Sequence, residues 1–141
     1  MLAYVDSSVV LRIILEQPSP LAEWDQIDLA VSSTLLAVEC HRSLDRYWRE
    51  DRLSDSGLAA KRTETEVILR RFDSVLLDDA VLRAAAKPFP TLIRTLDALH
   101  LSSAIIYRTA QPPDERPIRF ATHDVQLAGA ARAMHFEVIG A

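Results

Sequence analysis

Cysteine occurs once in 141 residues, at position 40, so the chain has no intramolecular disulfide and no thiolate zinc cluster, which suits a reducing compartment. Any metal must be held by oxygen or imidazole. Glycine is nearly as scarce, with three residues, too few for a Gly-rich phosphate-binding loop. No apolar run approaches the ~20 residues that a bilayer crossing requires. The opening MLAYVDSSVVLRII lacks a basic leading region and a small-residue cleavage site, and Asp6 and Arg12 interrupt its apolar run. It predicts a cytoplasmic protein with no leader and no membrane partner. Excess positive charge is also missing, since the net charge is −4 and the pI about 5.5, which excludes nonspecific coating of nucleic acid but leaves a local basic groove open. Lysine supplies two of the 16 basic residues and arginine the other 14. Arginine is the better bidentate partner for phosphate or carboxylate, although an arginine-rich codon bias gives the same count.

What is present, 49% hydrophobic and 26% charged residues, is the composition of a globular protein, and the length predicts one domain over residues 1–141. Hydrophobic periodicity predicts strands at 2–5, 29–33, 74–77, 118–122 and 136–140. It predicts helices at 7–17, 19–27, 34–51, 55–72, 78–86, 95–110 and 124–134. In the long helix over 34–51, Leu36, Cys40, Leu44 and Tyr47 share one face, and Glu39, Arg42, Arg46 and Arg49 line the neighbouring stripe. QPSP at 17–20 and QPPDERP at 111–117 read as loops. Strands alternating with helices imply an α/β fold, with a parallel sheet covered on both faces.

Four acids stand out in this framework. Asp6 ends the first strand and Asp124 lies just past the strand IRFAT, at the carboxyl edge where open α/β sheets bind ligands. Glu39 sits one turn into a mostly apolar helical stretch, and Asp97 lies in RTLDALHLSSA with His100 one turn on. Each has an ordinary alternative: capping for Asp6 and Asp124, pairing with Arg42 or Ser43 for Glu39, and capping for Asp97, with Thr95 as the competing cap. One shared cation accounts for all four together. Carboxylates crowded within ~5 Å repel unless a cation sits among them, and Mg²⁺ or Mn²⁺ prefers oxygen ligands. Such an ion activates water and neutralises phosphate charge, so the expected chemistry is phosphodiester hydrolysis.

The run VDSSVV, the Glu of SSTLLAVECHRSL, the Asp of LDALHLSSA and the stretch ATHDVQLAGAA resemble, in order and over nearly the whole chain, the PIN domain of VapC-type toxins. The resemblance implies a three-layer α/β/α sandwich around a mostly parallel sheet of four to five strands. It implies a Mg²⁺- or Mn²⁺-dependent endoribonuclease that inhibits translation by cutting RNA, tRNA and rRNA being candidate targets, and leaves a 5′-phosphate and a 3′-hydroxyl. Asp6 and Asp97 would be the principal metal ligands, with Glu39 and Asp124 ligands directly or through water. Ser7 and Thr122 would orient the carboxylates. His100 would stand behind the acids or, alternatively, help position substrate. The family also implies a homodimer restrained by a cognate antitoxin. Arg42, Arg46 and Arg49 are candidates for RNA or antitoxin contact, or for a solvated or dimer-facing stripe. The connection from Asp97 to Asp124, with QPPDERPIR and the filler His123, is longer than the family pattern.

The competing class is a binding module of the same fold whose acids hold a structural ion or an antitoxin. Aspartyl-phosphate phosphatases need a second Asp where this chain has Ser8. Receiver domains need a lysine after a late strand, and neither Lys61 nor Lys87 is so placed. The four histidines show no zinc-ligand spacing.

Overall fold

The computed structural model describes residues 1–113 and 116–141. Its first strand, β1 (Leu2–Val5), is buried along its whole length, and the alternation of its side chains divides the core in two. Ala3 and Val5 face Val9, Val10, Ile14, Leu36, Cys40 and Leu44. Leu2 and Tyr4 face the other way, toward Leu101, Ala104, Phe120, Leu127 and Ala131. These side chains come from α1 (Ser7–Ile14), α2 (Leu35–Arg49), α5 (Thr95–Ala110), β4 (Arg119–Ala121) and α6 (Val125–Ala133), so helices cover both faces of the sheet. Burying each large aliphatic chain in such a layer contributes about 1.5–3 kcal/mol.

The five strands β1, β2 (Leu29–Ser33), β3 (Phe72–Val75), β4 and β5 (Glu137–Ile139) are all parallel, in the order β3-β2-β1-β4-β5. α3 (Asp55–Leu69) and α4 (Asp79–Ala85) complete the helices among the described residues. The chain builds outward from β1 through β2 to β3 on one side, then returns to lay β4 against the other side of β1. That reversal is the topological switch point, where two connections leave in opposite directions and open a crevice beyond the strand ends. The pairing Val5↔Ala121 places the next residues, Asp6 and Thr122, side by side at its mouth.

Bounds shift where local geometry overrides periodicity. The helix expected over 19–27 is a single 3₁₀ turn, Trp24–Gln26, because Pro18 and Pro20 remove backbone donors and Ser19 is held at φ 55°. The third strand lies at 72–75 rather than 74–77, since its pairing with β2 begins at Phe72 opposite Ala30. As an edge strand it is largely exposed, so burial did not mark it. Leu36, Cys40 and Leu44 are buried on α2, with Tyr47 half-buried at the end of the same face. Residues 114 and 115 of the QPPDERP loop lie outside the described residues.

Candidate metal centre

Asp6 is the N-cap of α1, and its two oxygens divide their tasks. Oδ2 accepts from the Ser8 amide (3.3 Å), the Ser8 hydroxyl (2.6 Å) and the Thr122 hydroxyl (3.0 Å). Oδ1 faces inward, 3.9 Å from His100 Nε2. The hydroxyl that fixes Asp6 is therefore Ser8's rather than Ser7's. A residue two positions beyond a cap turns back over it, whereas Ser7 only lines the cleft. Thr122 ties the two strand ends together, since its Oγ1 also accepts from the Asp124 amide at 3.0 Å. The Ser8 hydroxyl in turn accepts from the His123 amide at 2.9 Å.

Glu39 reaches the same point from α2. Its Oε2 lies 2.6 Å from His100 Nε2, and His100 Nδ1 lies 2.9 Å from the Tyr4 hydroxyl, which also accepts from the Ser33 amide at 3.1 Å. His100 is 1% exposed. Burial works against its charge, but the hydrogen bond and charge of Glu39, backed by Asp6 and Asp97, outweigh it and raise the imidazole's pKa. An ionised carboxylate only accepts, so Nε2 must carry a hydrogen whether the ring is neutral or charged. Burial likewise drives the Tyr4 hydroxyl upward, so it keeps its proton and can give that hydrogen bond to a neutral Nδ1. Asp6, Glu39 and His100 bring one potential ligand atom each within 4.8 Å of one another. With its Nε2 proton committed to Glu39, His100 stands behind that carboxylate, and the free oxygens of Asp6 and Glu39 are the atoms that could hold an ion. Burial, reinforced by Glu39 and Asp6, pushes the neighbouring Cys40 thiol up to about 12, so it stays neutral in the metal-free protein.

Asp97 and Asp124 meet on the open side. Asp97 lies in the first turn of α5 and caps nothing. The N-cap is Arg94, without a side-chain cap bond, and Thr95 is the first helical residue. Capping is thereby removed as an account of Asp97. Asp124 does cap α6, its Oδ1 accepting from the Leu127 amide at 2.9 Å, while Oδ2 accepts from the Arg94 guanidinium at 2.9 Å. The same guanidinium donates to Asp97 Oδ2 at 3.2 Å. Burial raises the Asp97 pKa, the Arg94 contact opposes it, and the charges of Asp124 and Asp6 add to the rise.

All four acids line one cleft of about 480 Å³, together with Ser7, Ser8 and the Arg94–Leu96 stretch. With His100 committed to Glu39, the remaining donors are carboxylate oxygens, the set that hard divalent cations such as Mg²⁺ and Mn²⁺ take. The residues present therefore fit the ion that the four-acid pattern implies.

The arginine stripe divides. Arg42 and Arg49 both pair with Asp45, at 3.5 and 3.0 Å. Arg46 lines a surface groove with both of them, and on its other side a second groove of about 260 Å³ with Arg12, Tyr47, His123 and Asp124, contiguous with the acid cleft through Ser8 and Asp124. Sequence reading missed Tyr4, Ser8 and Arg94. Ser8 and Arg94 carry a signal in retrospect, lying two residues after and three before an acid at a helix start. Tyr4 reads only as strand core.

The fold and this constellation define a class: residues 3–132 match the PIN domain, and the chain belongs to that family. Its similarity within the family is to the VapC type. The chain is 30% identical over 142 residues to Ribonuclease VapC35 of Mycobacterium tuberculosis, covering 96% of this chain and 94% of that one. Ribonuclease VapC46 of the same species is 29% identical, with 96% and 95% covered. Ribonuclease VapC47 is 28% identical, with 94% and 92% covered.

Proposed function

We propose that this chain is a single-domain, metal-dependent endoribonuclease, the toxin of a toxin–antitoxin pair that arrests translation by cutting RNA. The observation that carries it is the convergence of Asp6, Glu39, Asp97 and Asp124, from four separate elements, on one cleft at the sheet's switch point. The VapC relatives, each named a ribonuclease, support RNA as the substrate.

When bound, Mg²⁺ or Mn²⁺ would lower the pKa of water and neutralise charge on the phosphate. Asp6 and Asp97 are the principal ligands in this reading, with Glu39 and Asp124 completing the set. Ser8 and Thr122 hold Asp6 Oδ2, so that Oδ1 stays turned into the cleft. His100 fixes Glu39 Oε2, leaving the other oxygen of that carboxylate to orient the attacking water. The family's second copy or antitoxin would find a mostly apolar hollow of about 760 Å³ beside the cleft, lined by Leu82, Phe89, Leu92 and Ile93 among others. Leu92 is 85% exposed there, a surface that a partner would cover. The reading places the protein in the cytoplasm.

The test is incubation of wild type and Asp6→Asn with total RNA, with and without Mn²⁺, followed by mapping of the cut ends. Metal-dependent cleavage leaving 5′-phosphates, by wild type alone, is expected. Equal cleavage by both proteins would overturn the assignment, and an inert wild type would leave a binding module.

A further inference from the structure

Arg94 stands among the acids without belonging to them. Its side chain is 70% exposed, it is the last residue before α5, and its guanidinium donates at once to Asp97 Oδ2 (3.2 Å) and Asp124 Oδ2 (2.9 Å). One exposed cation thus satisfies the open half of the cleft, while buried Tyr4, His100 and Thr122, with the half-buried Ser8, satisfy the other half. The oxygens that Arg94 occupies are two of those expected to face a divalent ion. Arg94 precedes the helix and its ion pairs are solvent-exposed, where screening and side-chain entropy leave such pairs weak. The pairing is therefore weak enough to be exchanged.

We propose that Arg94 is an exchangeable counter-ion of the cleft. It competes with the divalent cation for Asp97 and Asp124, and once released it positions the substrate by binding an RNA phosphate. The second step follows from chemistry: a guanidinium freed from two carboxylates keeps its fork of donors beside the cleft, and phosphate is the matching bidentate acceptor in an RNA substrate. This inference rests on the ribonuclease reading for its second step and on the acids alone for its first.

The two steps give opposite signs in one variant. In calorimetric titration, Arg94→Ala should bind Mn²⁺ about three- to tenfold tighter than wild type, the gain expected from removing two exposed ion pairs. Arg94→Lys should fall between them. At saturating Mn²⁺, Arg94→Ala should raise KM for an RNA oligonucleotide about tenfold and leave the pH profile of kcat in place. Arg119→Ala, whose guanidinium pairs with Glu137 at 2.9 Å on the β4–β5 edge, serves as the control and should change neither quantity. Since Arg94 is exposed, thermal melting of the metal-free variants should confirm folding. Mn²⁺ affinity in Arg94→Ala equal to or weaker than wild type would overturn the competition, and an unchanged KM would overturn the transfer to phosphate. If neither wild type nor variant binds Mn²⁺, the metal reading of the acids falls with it. If wild type binds and cuts RNA but the variant is indistinguishable, this inference falls alone.

Discussion

The two halves of the acid cleft are neutralised in opposite ways. Asp6 and Glu39 are held from behind by groups that belong to the fold: the half-buried Ser8 and buried Thr122 hydroxyls on one carboxylate, and buried His100 backed by Tyr4 on the other. Asp97 and Asp124 are held from in front by a single exposed arginine. Buried donors in a low-dielectric setting are costly to unmake, so the first half is built before any ligand arrives. Exposed ion pairs are cheap to exchange, so the second half is free to change partners. One side of the centre is rigid scaffold and the other is replaceable.

Substitutions can break that contrast, and the largest effect should come from the prebuilt half. Glu39→Gln keeps the side chain's shape but removes its charge and forces the amide to compete for His100. RNA cleavage should fall by about 10²-fold or more, read as initial rate at fixed Mn²⁺. Thr122→Val deletes the hydroxyl that donates to Asp6 and accepts from the Asp124 amide, linking the two strand ends. Mn²⁺ affinity should drop about 10- to 100-fold, the usual cost of losing a group that orients a ligand, measured by calorimetric titration. An affinity within twofold of wild type would show that Asp6 does not depend on its supports.

Tyr4→Phe probes the deepest layer. It leaves the Ser33 amide and His100 Nδ1 without their buried partner, which costs about 1–3 kcal/mol. For a chain of this size the melting temperature should fall by roughly 2–10 °C. Mn²⁺ affinity should change less than in Thr122→Val, because His100 keeps its bond to Glu39. A pH series tests the open half. Burial raises the Asp97 pKa, so the folded protein holds that proton more tightly than the unfolded chain. Without metal, stability contributed through Asp97 is lost as pH rises from the unfolded value, about 3.9, through the raised folded one. Bound Mn²⁺ reverses that loss. The Mn²⁺-induced gain in melting temperature should therefore shrink as pH falls through the same window, and shrink less steeply in Asp97→Asn.

Legibility in the sequence followed locality. Asp6 and Asp124 were readable because strand ends and helix starts mark themselves with short-range patterns, and their two possible roles, cap and cleft, turned out to be compatible: one oxygen serves each. Glu39 and Asp97 were readable as acids out of place in apolar stretches. His100 was placed near the acids through its spacing from Asp97, but Tyr4, 96 residues away, carries no local trace of its bond to it. A buried strand tyrosine looks like core until the fold brings an imidazole to its hydroxyl. β3 was misplaced because an edge strand takes its register from its neighbour, and the turn at 24–26 because prolines outweigh apolar spacing. Arg94 was passed over because an arginine before a helix is ordinary until Asp124 arrives from the far side of the sheet.

The smallest expected effect separates three arginines that look alike in the sequence. Arg42 and Arg49 share Asp45, so their charge is largely spent within α2. The Arg46 side chain has no hydrogen bond or ion pair among the described residues, and with Arg12 it lines the groove that continues from the acid cleft. An RNA strand whose scissile phosphate sits among the acids would carry a neighbouring phosphate into that groove. Arg46→Ala should therefore weaken RNA binding about three- to tenfold and lower the salt slope of log K by about 0.7, the contribution of one phosphate contact on a single strand. Arg42→Ala should leave the slope unchanged. Equal losses from the two would mean that the whole stripe acts as a diffuse charge, and the substrate path would have to be sought on the apolar side, past Leu92 and Leu96.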